Sequence, residues 1–452
     1  MGENNFPIKK YNKRMESSLT ESVQQLVRPG KCVDLYYPDP ETSQKACFRT
    51  TTNTKYVSAF TNLSAGTNVF TIPPNNGVGD VIVCLTLPAI TSNYASLGLP
   101  AGWGYSLIKQ ISWRYGGSPQ YFLTGQQVLQ AVLSQASDGA SRDALLSLGG
   151  VALSGTNSSS ANDFASLNYA YLWLPLPHCI PSVEGKPPPF PSDLLTQQIQ
   201  VTVELNPLSS AFSVATGGSV AGIPTALTQA EFQVQQIMLQ NQGDALARRV
   251  DMTSHSLTYP VRFIQQENPI QFSVGGTVGP TVSYNQVLSG FRAGEVRELH
   301  AWLQAGSDIL TGGTVGHTVN PFKWYQLENV VVQYAGDQYQ RSDFGSNQLW
   351  SLVNGRIPPQ VNSTILADSG STTITTTTTF APAWTVLPFG QSYSGPTAHS
   401  TYMGGLPITN GIVNLQFTIP AGAPVSTTYT LHVSYVYNSV IALSQGTCDY
   451  VF

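Results

Sequence analysis

The chain is written twice. "IKQISWRYGGSPQYF" at 108–122 and "LENVVVQYAGDQYQ" at 327–340 each run an alternating apolar stretch into Tyr, a small residue and Gly, after which the chain turns polar. With Tyr115 aligned on Tyr334, other features fall into step. A short helix is predicted after each: Thr124 and Gln127 form a capping box ahead of Val128, Leu129, Val132 and Leu133, and Leu349, Trp350, Leu352 and Val353 are similarly disposed in the second copy. Pro175 stands 60 residues after Tyr115, and Pro388 stands 54 after Tyr334. Then come "QIQVTVEL" and "VNLQFTI", where Ile199, Val201, Val203 and Leu205, and Val413, Leu415, Phe417 and Ile419, alternate with polar residues as in strands with one face buried. "DVIVCLTLP" and "VRELHAWLQ" precede the two Tyr residues, and "EFQVQQIML" and "YTLHVSYVYNSV" close the copies. Ordered features at similar spacing mean a tandem duplication of one β unit, with a period far too long for a solenoid or a propeller blade. The expected fold is all-β: two tandem eight-stranded jelly-roll sandwiches with short helices in their loops.

Composition fits this reading. The 452 residues exceed one ordinary core, and 41% apolar content suffices for two. Only 10% of residues are charged, against roughly a quarter in an average domain, and such a surface suits packing against neighbours. A net charge of −4 speaks against a nucleic-acid binder as a whole, which needs clustered Lys and Arg. No apolar run approaches the ~20 residues of a membrane helix, and "MGENNFPIKKYNKR" lacks the apolar stretch of a signal peptide, so synthesis in the cytoplasm is expected. The five cysteines are scattered and read as reduced thiols, with Cys84 expected in the core.

Several stretches resemble one family. "AYLWLPLPHCIP" followed by "PSDLLTQQIQVTVELN" is similar to the segment of large-DNA-virus major capsid proteins in which a strand ending in Pro-Leu-Pro precedes a proline-rich turn and an alternating strand. "VRELHAWLQ", "VLPFGQSYSGPT" and "LHVSYVYNSVIALSQG" resemble the second half of the same proteins in iridoviruses and algal viruses, within the wider adenovirus lineage. The resemblance implies a double jelly roll that forms homotrimers, which serve as pseudo-hexagonal capsomers of an icosahedral shell. Neighbouring capsomers and minor capsid and penton proteins would be its partners in the virion. A two-domain glycan-binding module, a lectin or adhesin, is the alternative from another class.

Catalytic signals are sparse. "ILADSGSTT" suggests an aspartic-protease loop at Asp368, but a shared-proton pair needs a second loop, and "SQASDGASR" around Asp138 lacks the hydroxyl residue and the apolar lead-in. The histidines stand apart, and His300 and His432, in alternating strands, read as polar-face or interface residues. No catalytic residue, cofactor or metal site is expected. Asn157 and Asn362 head sequons in long, charge-poor insertions expected on the outer surface.

The organisation expected is an N-terminal arm over 1–50, a first jelly roll over 51–245 and a second over 246–452. The arm carries Lys9, Lys10, Lys13 and Arg14, then an amphipathic stretch with Met15, Leu19, Val23 and Leu26 on one side. It is expected to contact a neighbour or minor capsid protein, an inner membrane or packaged DNA.

Overall fold

The computed structural model describes residues 51–88, 102–116, 121–134, 139–150, 171–176, 190–208, 225–239, 257–279, 281–290, 294–306, 324–342, 384–389, 405–408, 412–444 and 446–451, with short strands at 91–92, 96–99, 153–156, 162–163, 213–214, 363–367 and 375–379. The N-terminal arm, the segment 240–256 between the halves and the helix expected around Leu349 lie outside the described residues.

The main strands of the first half are β1 (Thr51–Ala59), β2 (Gly66–Ile72), β3 (Gly77–Thr86), β4 (Ile108–Arg114), β5 (Tyr121–Thr124), β6 (Tyr171–Pro175), β7 (Ile199–Leu205) and β8 (Gln229–Leu239). Helices α1 (Gly125–Ser134) and α2 (Gly139–Leu148) lie between β5 and β6. Those of the second half are β9 (Leu257–Gln266), β10 (Ser283–Leu288), β11 (Gly294–Ala305), β12 (Glu328–Tyr334), β13 (Asp337–Ser342), β14 (Thr385–Pro388), β15 (Val413–Thr418) and β16 (Thr428–Ser444). The first half pairs them as β1-β8-β3-β6 and β2-β7-β4-β5; the second as β9-β16-β11-β14 and β10-β15-β12-β13. The two orders are the same, strand for strand, and this antiparallel crossing order is that of a jelly roll. The second half adds Ile270–Ser273 and Thr447–Val451 along β16 and Leu406–Ile408 along β11.

Each sandwich closes because its strands alternate. Ile199, Val201, Val203 and Leu205 of β7 are buried while the residues between them are not, and Val413, Leu415 and Phe417 of β15 repeat the pattern. Aromatic rings join the facing sheets. Phe70 of β2 stacks on Phe232 of β8 at 4.5 Å, and Phe417 of β15 meets Phe272 edge-on at 5.9 Å.

The repeated Tyr marks the same point in both halves. Tyr334 pairs with Val413, the first residue of β15, and Arg114 pairs with Gln200, which sets Tyr115 beside Ile199 at the start of β7. Both rings are buried. Each Tyr leads into a left-handed turn. Ala335 (φ 52°) and Gly336 (φ 91°) form the two-residue loop between Tyr334 and Asp337, and Gly116 (φ 58°) comes directly after Tyr115. Two successive positive φ values make the β12–β13 connection a type I′ hairpin, whose twist matches that of its strands.

One expectation needs amendment. Cys84 alternates with the core residues Val83 and Leu85, so it faces outward on β3 and is half-buried; burial pushes its thiol up to about 11. The long insertions carry regular structure. The first holds α2, whose Leu146 packs into the core, and strand Leu153–Thr156, which pairs with Ser96–Leu99. In the second insertion the threonine run forms a hairpin, Ser363–Ala367 with Thr375–Thr379.

Gly336→Ala places a Cβ in a left-handed conformation and is expected to cost about 1 kcal/mol in chemical denaturation. Gly275, which has neither a positive φ nor a close neighbour, should accept Ala neutrally or gain a few tenths. Equal effects at the two positions would contradict the hairpin assignment.

Candidate functional site: the junction between the sandwiches

Helix α1 is built to serve two partners. Its apolar side, Val128, Leu129, Val132 and Leu133, is buried in the first sandwich. Its start is pressed onto the backbone: a Cβ on Gly125 would lie 2.2 Å from the Ile108 carbonyl oxygen and 2.3 Å from that of Tyr105. Thr124 and Gln127 meet at the helix start as expected, with the Thr124 N–H and hydroxyl both donating to Gln127 Oε1 at 3.1 Å, which is the Gln half of a capping box.

The other side of α1 carries Gln126, Gln127 and Gln130, and all three reach the outer face of β11 and β16 in the second sandwich. Gln126 Nε2 donates to Gln304 Oε1 at 3.0 Å, and Gln127 Nε2 donates to Ser434 Oγ at 3.3 Å. Gln130 Nε2 lies 2.8 Å from His300 Nδ1, which also receives the Trp384 indole N–H at 3.0 Å. An indole nitrogen can only donate, so Nδ1 must be the unprotonated nitrogen of His300. Nε2 then carries the hydrogen and donates to Glu298 Oε2 at 3.1 Å, and Arg297 Nε meets Glu298 Oε1 at 3.2 Å. The backbone pairing shifts register between Val296 and Glu298. Such a bulge re-aims side chains, here setting sequence neighbours Arg297 and Glu298 into one buried pair.

A second contact lies at the C-terminal turn. Thr196 N–H and Oγ1 both donate to the Gly446 carbonyl, at 2.8 and 3.0 Å. Gly446 has φ 80°, and a Cβ there would meet Thr196 Cγ2 at 2.4 Å. The close approach requires glycine.

Tryptophans fill the rest of the outer face. Trp302 stacks on Trp324 at 4.8 Å and on His432 at 5.2 Å, and Trp384 meets Trp324 edge-on. The His432 residue reaches the surface at one edge, yet its Nε2 is sealed and has no hydrogen-bond partner. Burial disfavours the charged ring and holds its pKa down at about 4.

Among the sequence-predicted residues, His300 and His432 thus stand at or beside the junction as polar-face and interface groups. Lys9, Lys10, Lys13, Arg14, Leu19, Val23 and Leu26 lie outside the described residues, as do Asn157, Asn362, Asp138 and Asp368. The junction role of Gln126 and Gln130 was not foreseen; its only trace in the sequence is three uncharged amides on the side of α1 opposite its apolar stripe. Among the described residues, no cluster of three or more His, Cys, Asp and Glu has the arrangement of a metal site, and no helix is long and apolar enough to cross a membrane.

Two sandwiches of one strand order, joined through a helix of the first on a sheet of the second, define a double-jelly-roll protein. Solved structures share this fold along nearly the whole chain. VP54 of PBCV-1, fitted into a reconstruction of the virophage Sputnik, is 12% identical, with a TM-score of 0.59 over 90% of this chain and 97% of that one. The Faustovirus major capsid protein (11% identity, TM-score 0.56) covers 95% and 96%, and the mavirus major capsid protein (11%, 0.53) covers 97% and 94%. No protein-family model matches the chain, and no curated protein matches it in sequence.

His300→Ala leaves the Gln130 and Trp384 donors unpaired in a buried place and should cost roughly 2–4 kcal/mol. Combined with Gln130→Ala, the loss should fall short of additivity by about 1 kcal/mol in a double-mutant cycle. Additive losses would mean that the two groups do not interact.

His432 should make stability depend on acid. Unfolded, it binds a proton near 6.5; folded, only near 4. Its contribution is therefore complete above about pH 6.5 and is lost as pH falls toward 4, by up to about 3 kcal/mol. His432→Phe keeps a ring on Trp302 and should flatten that part of the profile; an unchanged pH dependence would contradict the assignment.

Proposed function

We propose that this chain is the major structural subunit of an icosahedral virus shell, and that its work is self-assembly without a catalytic step. The observation that carries this reading is likeness in fold to major capsid proteins over nine-tenths of the chain, both sandwiches included. The low charge of the chain supports it. Neutral surfaces lose little on desolvation, as a subunit enclosed by neighbours requires.

In this reading three copies form one capsomer. Three chains of two like sandwiches offer six similar edges, which suits a lattice of hexagonal neighbours. Other capsomers, minor capsid proteins and penton proteins are the further partners, and the virion is the destination. The N-terminal arm, with Lys9, Lys10, Lys13 and Arg14 ahead of Leu19, Val23 and Leu26, acts beneath the capsomer and engages a neighbour or an inner layer of membrane or DNA.

The purified protein should have a native mass near three times 48.6 kDa. Its interfaces should exceed the ~2,000 Å² of standard complexes, and raised salt alone should not separate it. A monomer that binds glycans would favour a lectin or adhesin instead. Deleting residues 2–27 should leave folded trimers, because the described strands begin at Thr51, and should abolish regular shells. Normal particles from the shortened chain would remove the arm from the assembly.

A further inference from the structure

The seat of α1 on the second sandwich covers a strip of sheet that holds two histidines. The register sets three pairs side by side on the outer face of β11 and β16: Gln304 with Thr430, Trp302 with His432, and His300 with Ser434. Gln126 bonds Gln304 in the first pair, and Gln127 and Gln130 bond Ser434 and His300 in the third. His432 and Trp302 therefore lie between the positions at which the helix is tied down.

Both rings are placed as uncharged bases. His300 Nδ1 receives the Trp384 indole and faces Gln130 Nε2, so a further proton would have to enter at an atom that already accepts a donor. Gln130 can turn its carbonyl to that proton, but Trp384 has only an N–H to offer. His432 is stacked on Trp302 with its Nε2 sealed from water, where a charge is costly. Among the described residues, the charged groups facing these rings come from β11 itself: Glu298 on His300 Nε2, and Arg297 on Glu298. α1, β14 and Ile270–Ser273 contain no ionisable side chain. Arg262 of β9 pairs with Asn438, six residues along β16 from His432; Glu267 is turned to Tyr435 and Gly290, and Tyr325 packs on Tyr429.

We infer that the seat is an acid-operated latch: protons taken up by His432 and His300 unseat α1 from the second sandwich, and the halves uncouple while each keeps its fold. The helix cannot yield instead, because Gly125 presses on the Tyr105 and Ile108 carbonyls and its apolar side is buried in the first core. Opening the seat brings water to both rings. The Thr196–Gly446 contact has no titratable group and remains as a tether. Closed, His432 binds a proton near 4; open to water, near 6.5. Its contribution to the closed seat is therefore complete above about pH 6.5 and is lost as pH falls toward 4. The latch goes beyond the assembly proposed above and does not depend on it.

Hydroxyl-radical footprinting of the full chain, read residue by residue in a mass spectrometer, tests it. Between about pH 7.5 and pH 4 the ratio of open to closed seats should rise on the order of a hundredfold, and with it the oxidation of the buried Trp302 and Trp384. Trp103 and Trp113, buried in the first sandwich, should stay protected, as should Tyr429 and Tyr437 in the second. His432→Phe keeps a ring on Trp302 and takes no proton, so it should hold Trp302 protected at both pH values; His432→Gln is the second non-titrating variant if the first misfolds. Unchanged protection of Trp302 in the native protein at about pH 4 would overturn the latch. So would oxidation of Trp103 and Trp113 in step with Trp302, which means unfolding of the whole chain. Acid exposure of Trp302 in a folded His432 variant would overturn the assignment to this histidine.

Discussion

The seating of α1 between two sandwiches is the contact on which the rest of the arrangement depends. The helix cannot move toward its own core, because Gly125 already touches the Tyr105 and Ile108 carbonyls, and it cannot retreat without exposing Val128, Leu129 and Val132. Its position therefore dictates where three glutamines meet the second sandwich. The partners are largely neutral: an amide, a hydroxyl and an imidazole whose tautomer is set by an indole. Neutral hydrogen bonds avoid the desolvation cost of buried ions, and a buried ion pair nearby, Arg297 with Glu298, is held in place by a bulge and by His300.

Duplication gives that contact its consequence. A sheet face that accepts a helix in the second half has a counterpart in the first, with Trp173 and Val57 in the open. The scarcity of charge fits the assembly proposed above, since few ions have to be stripped of water when neutral faces meet.

Much of the fold was legible because sandwich strands write their burial into a period of two. Ile199 to Leu205 and Val413 to Ile419 state their inward faces directly, and the Tyr-small-Gly turns state where the hairpins bend. Cys84, on an outward position of β3, was misplaced because its run is apolar on both faces, and composition alone does not tell an inner face from an outer one. The junction was the least legible part. Gln126, Gln127 and Gln130 look like any solvated helix face, and their partners His300, Gln304 and Ser434 are 170 or more residues away in sequence. Pairing between residues so distant leaves no local pattern to read.

Single-particle electron microscopy of the purified protein tests the central claim most directly. Class averages down the particle axis should show six lobes of nearly equal size, two for each of three chains; a particle with two or four lobes would contradict it.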